Sequence, residues 1–309
     1  MTTSIAPVGA QLPTKAPSRR AAKAAARAED SKNKLSSPAA STIAIVIAVL
    51  WTVPTFGLLV TSFRTPNDIR RTGWWQTFTS PALTFDNYTT ALTGGTSNFA
   101  GALLNSVVIT LPAVVIPITL ALLAAYAFAW IPFRGRSVLF VAVFALQIVP
   151  IQVTLIPLLT LYVGTGIAGS FWPVWLSHSM FALPLAIFLL HNFMKDIPPS
   201  LVEAARMDGA GHVRVFFQVL LPLLTPAIAA FGVFQFLWVW NDLLVGLTFG
   251  SAQQVSPITV RLAELSGTRG NAYFLLSAGA FIALAVPLAV FLGLQRFFVR
   301  GLLAGGTKG

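Results

Sequence analysis

The sequence predicts an all-α integral membrane protein with six transmembrane helices and both termini in the cytoplasm. Three observations carry that expectation. Apolar residues make up 56% of the 309 and charged residues only 9%, against about 25% charged in a soluble domain. Six stretches reach the roughly 20 apolar residues that cross a hydrocarbon core, and none shows the alternation of a barrel strand. With the N-terminus inside, 15 of the 20 Lys and Arg residues fall on the cytoplasmic side, as the positive-inside rule requires.

Taken in order, residues 1–40 form a basic tail containing PSRRAAKAAARAEDSKNK. Its composition offers little that could build a core, so a disordered or partly helical cytosolic segment is expected. The long basic region and the full-length apolar run behind it argue for an uncleaved anchor rather than a secretory signal. Residues 41–309 then form the six-helix domain, with spans near Ser41 to Thr61, Ala102 to Trp130, Ser137 to Leu161, Phe171 to Phe193, Leu220 to Phe249 and Ala272 to Phe297. Helices are required because open strands would leave backbone groups unpaired in lipid. In the first external loop, Trp74 and Trp75 either sit at headgroup level or pack on each other. The link IPFRGRS is short enough to make spans two and three antiparallel neighbours. Pro112, Pro117, Pro150, Pro157, Pro184 and Pro287 fall inside spans and predict kinks. The absence of cysteine excludes disulfide and thiol chemistry.

A polar insert at about 196–222, between spans four and five, interrupts this apolar pattern with EAARMDGAGHVRVFFQVLLP. Pro198 and Pro199 end the preceding helix, and Ser200 with Glu203 has capping-box spacing. A short helix through LVEAARMD follows, and Gly209 can take the left-handed conformation that closes a helix. Gly211 repeats the break before HVRVFFQVLL returns toward the membrane. Leu201, Ala204, Ala205 and Asp208 lie on adjoining rows of the short helix. Too short to stand alone, it packs on its own chain or projects into a partner's groove.

EAARMDGAGHVRVFFQVLLP resembles the EAA loop of permease subunits of bacterial ABC importers. Glu203, Ala204, Ala205, Gly209, Val219, Leu221 and Pro222 meet that pattern in register, with Val219 replacing the usual Ile. SFRTPNDI, LLNSVVIT, AAYAFAWIPFRGR, QIVPIQVTLIPL, FLWVWNDLL and QRFFVRGLLAGGTKG resemble successive parts of carbohydrate importer permeases of the maltose type. The likeness covers nearly the whole chain after the tail. It implies a maltose-importer-type permease fold with a cytosolic coupling helix, in a bacterial inner membrane. The implied partners are a second homologous permease, an ABC ATPase dimer that binds ATP and Mg, an extracytoplasmic sugar-binding protein, its sugar and membrane lipid. The implied ATPase-coupling residues are Glu203, Ala204, Ala205, Arg206, Asp208 and Gly209. Glu203 would cap and orient the helix, Ala204 and Ala205 would allow close contact, and Gly209 would make the bend. Arg206 and Asp208 either meet the ATPase electrostatically or are solvated.

The residues themselves are compatible with a non-catalytic transport subunit. No G-x-x-x-x-G-K-[ST] phosphate loop occurs, so ATP chemistry would belong to another chain and no cofactor is expected in this one. Metal-protease and nucleophile-elbow motifs are absent as well. Because the basic residues are not gathered into one folded domain, no nucleic-acid partner is expected. Counting about 1.5 Å per residue puts Gln147 near the midplane and directed into the bundle, where it lines a sugar path or clamps two helices. Gln152 and Gln235 carry the same two readings. Asp242 falls roughly 30 Å along span five from Pro222, near the external face, where Trp240 and Asn241 would complete a polar rim. His178 and His191 are expected to satisfy local hydrogen bonds, and His212 to start a helix. FQFLWVWNDLL with VRLAELSGTRG resembles maltose and α-glucoside permeases, although trehalose, polyol and glycerol-phosphate systems use similar subunits. The competing readings are an importer of non-sugar cargo and a self-sufficient secondary transporter or channel, in which the EAA stretch would be only a turn.

Overall fold

The computed structural model describes residues 38–94, 98–267 and 272–306, with side chains as far as Gln295. Most of the basic tail, Arg269 and Lys308 lie outside the described residues. Two compact units divide at Gly57 and Leu58. The first contains most of helix α1, Pro38–Ser62, in which Thr42 and Thr52 donate to the carbonyls of Pro38 and Ala48 four residues back, at 2.8 and 2.7 Å. Hydroxyls in an apolar helix are thus satisfied without leaving it.

The second unit begins with a small packed connection. Helix α2, Pro66–Arg71, is capped by Thr65, whose Oγ1 accepts from the Asp68 amide at 3.2 Å. Helix α3, Asp86–Thr93, buries Asn87, which donates to the carbonyls of Ser62 and Arg64 at 2.9 and 2.8 Å. Trp74 and Trp75 lie on a 3-10 turn, Trp74–Phe78, with rings edge to face at 6.1 Å. Phe78 adds a second edge contact to Trp74 at 6.3 Å. The packing cluster is therefore formed, with the Trp75 ring still exposed.

Long apolar helices follow: α4 over Phe99–Trp130, then, past two shorter helices, α7 over Trp172–Lys195, and later α9 over His212–Trp240 and α12 over Tyr273–Gly306. With α1 they make, among the described residues, five helices long and apolar enough to cross a membrane. The predicted third span is not one helix. It divides into α5, Arg136–Ala145, a 3-10 turn Leu146–Ile148, and α6, Ile151–Gly164, bent by 97°. Pro150 is the cause: its ring pushes Val149 out of the helical region, to ψ 119°. Counted as a single broken span, the pair brings the total to six.

The predicted fifth span is also divided. α9 stops at Trp240, and a separate short helix, α10, covers Leu244–Phe249. The link IPFRGRS does make α4 and α5 neighbours, through Phe128 and Phe140 at 5.4 Å. The long partner of α4 is nevertheless α7, which it meets through the fully buried Ala121, Ala125 and Ala186. Small side chains there let two backbones approach closely. Helix α11, Ile258–Ser266, and α12 close the far end against Phe99 and Ala102. A Cβ on Gly279 would lie 2.3 Å from the Phe99 ring, so only glycine fits that crossing. Among the described residues there is no strand, only an isolated bridge between Arg64 and Leu83.

Candidate coupling elbow and the polar groups of the bundle

Helix α8, Pro199–Met207, follows α7 and leads to α9. The capping box expected of Ser200 and Glu203 does not form. The cap position is Pro198, Ser200 is already inside the helix, and no side chain caps its amides. Pro199 starts the helix instead, because its fixed φ suits the first turn and its missing N–H would be unpaired there anyway. Glu203 is exposed, so its expected capping role is lost.

The other end closes as expected. Gly209 has φ +79°; its N–H donates to the Arg206 carbonyl at 3.0 Å, and the Ala210 N–H donates to the Ala205 carbonyl at 2.9 Å. These two bonds make a Schellman closure. No atom lies within 4 Å of a Cβ placed on Gly209, so backbone conformation alone demands the glycine. Gly211 is different: its backbone is extended, and α9 starts directly after it.

Val202 anchors α8, buried with Val215, Phe216 and Leu220. These partners lie in or beside a π-helical segment of α9, Val215–Leu220, a geometry that often marks a functional turn. Ala205 packs inward against the same cluster, whereas Ala204 is exposed. The expected alanine contact pair is therefore divided between the two faces. Leu201, Glu203, Ala204, Arg206, Met207 and Asp208 face outward, with Met207 89% exposed. His212 does more than start a helix, because its Nδ1 lies 2.7 Å from the Tyr126 hydroxyl of α4.

The candidate path residues separate into two groups. Gln147 and Gln152 are exposed, the first on the 3-10 turn and the second at the start of α6, so neither is buried in this chain's interior. Gln147 borders a groove of about 260 Å3 shared with Thr154, Met180 and Pro184.

Gln235 is fully buried, and its Nε2 donates to the Ala113 carbonyl at 3.2 Å. Ala113 stands four residues before Pro117, which has no N–H to offer that carbonyl. Trp240 is buried as well, so it is not part of an exposed rim; its Nε1 donates to the Ala283 carbonyl at 3.1 Å, four residues before Pro287. Trp175 completes the set by donating to the Val108 carbonyl at 3.0 Å, four residues before Pro112. These three proline-freed carbonyls are thus closed by side chains from neighbouring helices.

Asn241 is exposed and donates to the Leu237 carbonyl at 2.7 Å. Asp242 starts α10, its Oδ2 accepting from the amides of Val245 and Gly246 at 2.8 and 3.2 Å. Burial pushes this carboxyl above the usual 3.8, opposed by its backbone donors. The His178 ring lies 3.9 Å away. Nδ1 of neither His178 nor His191 finds a protein partner, so any local bond they make is not through that atom. No group of three His, Cys, Asp or Glu side chains that could hold a metal occurs among the described residues.

The family described as the inner membrane component of binding-protein-dependent transport systems matches residues 117–303, from the second half of α4 into α12. The chain belongs to that family. The relatives include the osmoprotective compounds uptake permease protein GgtD of Synechocystis sp., 50% identical over 269 residues, covering 85% of this chain and 90% of the relative. The alpha-glucoside transport system permease protein AglG of Rhizobium meliloti is 48% identical over 237 residues, covering 75% of this chain and 62% of that longer relative. A crystal structure of a bacterial ABC transporter that imports the acidic polysaccharide alginate shares the fold. It aligns with a TM-score of 0.69 over 85% of this chain and 98% of that chain, at 20% identity.

In this family member the residues that reasoning from sequence missed are Trp175, Tyr126 and the closing role of Gln235 and Trp240. A usable signal existed for three of them: every proline inside a helix frees the carbonyl four residues earlier. The sequence does not say which neighbouring side chain reaches it.

Proposed function

We propose that this chain is a translocation subunit of an ATP-driven sugar importer in a bacterial inner membrane, with both termini cytoplasmic. It forms half of the pathway beside a second homologous permease and takes its sugar from an extracytoplasmic binding protein. Hydrolysis belongs to a separate ATPase dimer holding ATP and Mg, which α8 contacts. The observation that carries this reading is the elbow itself: a helix closed at Gly209, rooted by Val202 and offering Leu201, Ala204, Arg206, Met207 and Asp208 outward. An apolar ridge with an adaptable methionine at its tip suits a groove on another protein. A binding-protein partner is supported by the fold likeness to an alginate transporter crystallised with its pentasaccharide-bound periplasmic protein. Gln147 and Gln152, exposed beside the bend in the third span, would line the path once the second permease covers them.

An α-glucoside is the favoured cargo, supported by the relative AglG. A second reading, an osmoprotective compound, is supported by GgtD. A ligand screen on the cognate binding protein separates the two. The transport reading is tested in liposomes holding this chain, its sister permease and the ATPase, with binding protein supplied outside. Sugar uptake should require ATP, and Gly209→Pro should uncouple it, cutting uptake more than tenfold while hydrolysis continues. Uptake by this chain alone on an ion gradient overturns the proposal. Orientation follows from Met207→Cys, which in a chain without cysteine should react with an impermeant maleimide only from the cytosolic side.

A further inference from the structure

Tyr126 sits one turn before the end of α4, buried in the cluster that also holds Val202 and Phe216. Its hydroxyl lies 2.7 Å from Nδ1 of His212, the first residue of α9. The phenol ring meets the His212 ring edge to face at 6.0 Å and the Phe216 ring at 5.4 Å. One side chain of α4 therefore shares a buried cluster with Val202 of the elbow helix and touches both the residue that follows the bend and the π-helical turn.

α7 and α9 are joined to α8 by the chain itself, so a displacement of α8 pulls on both. α4 has no such covalent connection. It also carries Pro112 and Pro117, whose freed carbonyls depend on Trp175 and Gln235, so its shape depends on where its neighbours stand. We propose that Tyr126 and His212 are positioning residues that tie α4 to the elbow, so that movement of α8 bends α4 together with α7 and α9. A hydrogen bond resists sliding in a way that apolar contact does not, because it weakens steeply when misaligned. The inference rests on the coupling role proposed for α8.

The test uses the full complex of this chain, its sister permease and the ATPase in liposomes. Tyr126→Phe keeps the ring and removes the hydroxyl. Sugar transported per ATP should fall about fivefold, the equivalent of ~1 kcal/mol for one net hydrogen bond, with complex yield unchanged. His212→Leu should match it, and the double variant should be no worse than either alone. His212→Asn, which places a polar atom near the position of Nδ1, should restore coupling. Met207→Cys should cross-link to the ATPase equally in the Tyr126→Phe background. Wild-type transport per ATP in Tyr126→Phe and in His212→Leu overturns the inference, and so does a loss that follows complex yield. If Tyr126→Phe fails to assemble, the contrast between His212→Leu and His212→Asn decides in the same way. Failure of Met207→Cys to reach the ATPase in the otherwise unaltered chain defeats the coupling role itself, whatever Tyr126→Phe does.

Discussion

The short helices at the two ends of α9 are built by opposite means. α8 has nine residues and no side-chain cap; prolines start it and a left-handed glycine closes it. α10 has six residues and is started by the Asp242 carboxylate. α8 buries only Val202, whereas α10 buries Val245, Gly246 and Phe249. A Cβ on Gly246 would lie 3.1 Å from Val260 and 3.2 Å from Pro257. α8, the element proposed to meet another chain, carries its own conformational instructions in the backbone. One held on several sides by its chain can depend on side chains distant in sequence.

The largest effect should come from breaking the backbone closure of α8. Proline cannot reach φ +79° and removes the N–H that bonds to Arg206. Gly209→Pro should therefore lose more than tenfold of the uptake obtained per ATP, corresponding to roughly 3 kcal/mol locally, while the bundle's thermal midpoint barely moves. Gly209→Ala meets no steric obstacle and should cost about 1–2 kcal/mol, the left-handed penalty alone, read as faster amide exchange over 203–208. Wild-type exchange in Gly209→Ala would mean that tertiary contacts, not the backbone, hold the elbow.

Next in size is the side-chain start of α10. Asp242→Ala leaves the Val245 and Gly246 amides without their acceptor and should lower stability by about 1–2 kcal/mol, measured by thermal unfolding in nanodiscs. Elbow exchange should not change. A loosened elbow in Asp242→Ala would show that the two ends are not independent.

This contrast explains how much was legible in sequence. The elbow could be read because the prolines before it and Gly209 act locally, although Val202, its buried anchor, was not singled out. Even there the capping box misled, because a proline start makes Ser200 and Glu203 redundant as caps. The bend of the third span was also written locally, in Pro150, yet a hydropathy window averages through it. Gln235 and Trp240 were beyond such reading, since their acceptors at Ala113 and Ala283 are remote in sequence. Trp240→Phe keeps the ring packing and leaves the Ala283 carbonyl unpaired. It should cost around 0.6–1.7 kcal/mol, the range for hydrogen bonds between membrane helices, measured by unfolding in mixed micelles. A neutral Trp240→Phe would mean that α12 satisfies that carbonyl without α9.

The smallest effect concerns the ionisation of Asp242. Burial raises its carboxyl above the unfolded value of 3.8, so the folded chain binds the proton more tightly than the unfolded chain does. The associated stability is fully present below 3.8 and is lost as pH rises through the folded value. Asparagine accepts hydrogen bonds from helix amides about as well as aspartate and carries no charge to desolvate. Asp242→Asn should therefore be as stable as the natural chain or slightly more so near pH 7, and the difference should shrink as pH falls toward 4. The His178 ring, 3.9 Å from the carboxylate, is the titratable group facing it; repeating the comparison in a His178→Gln background isolates the carboxyl. An advantage for Asp242→Asn that grows on acidification would reverse the sign and show that ionised Asp242 stabilises α10, turning the contrast with α8 from hydrogen bonding into charge.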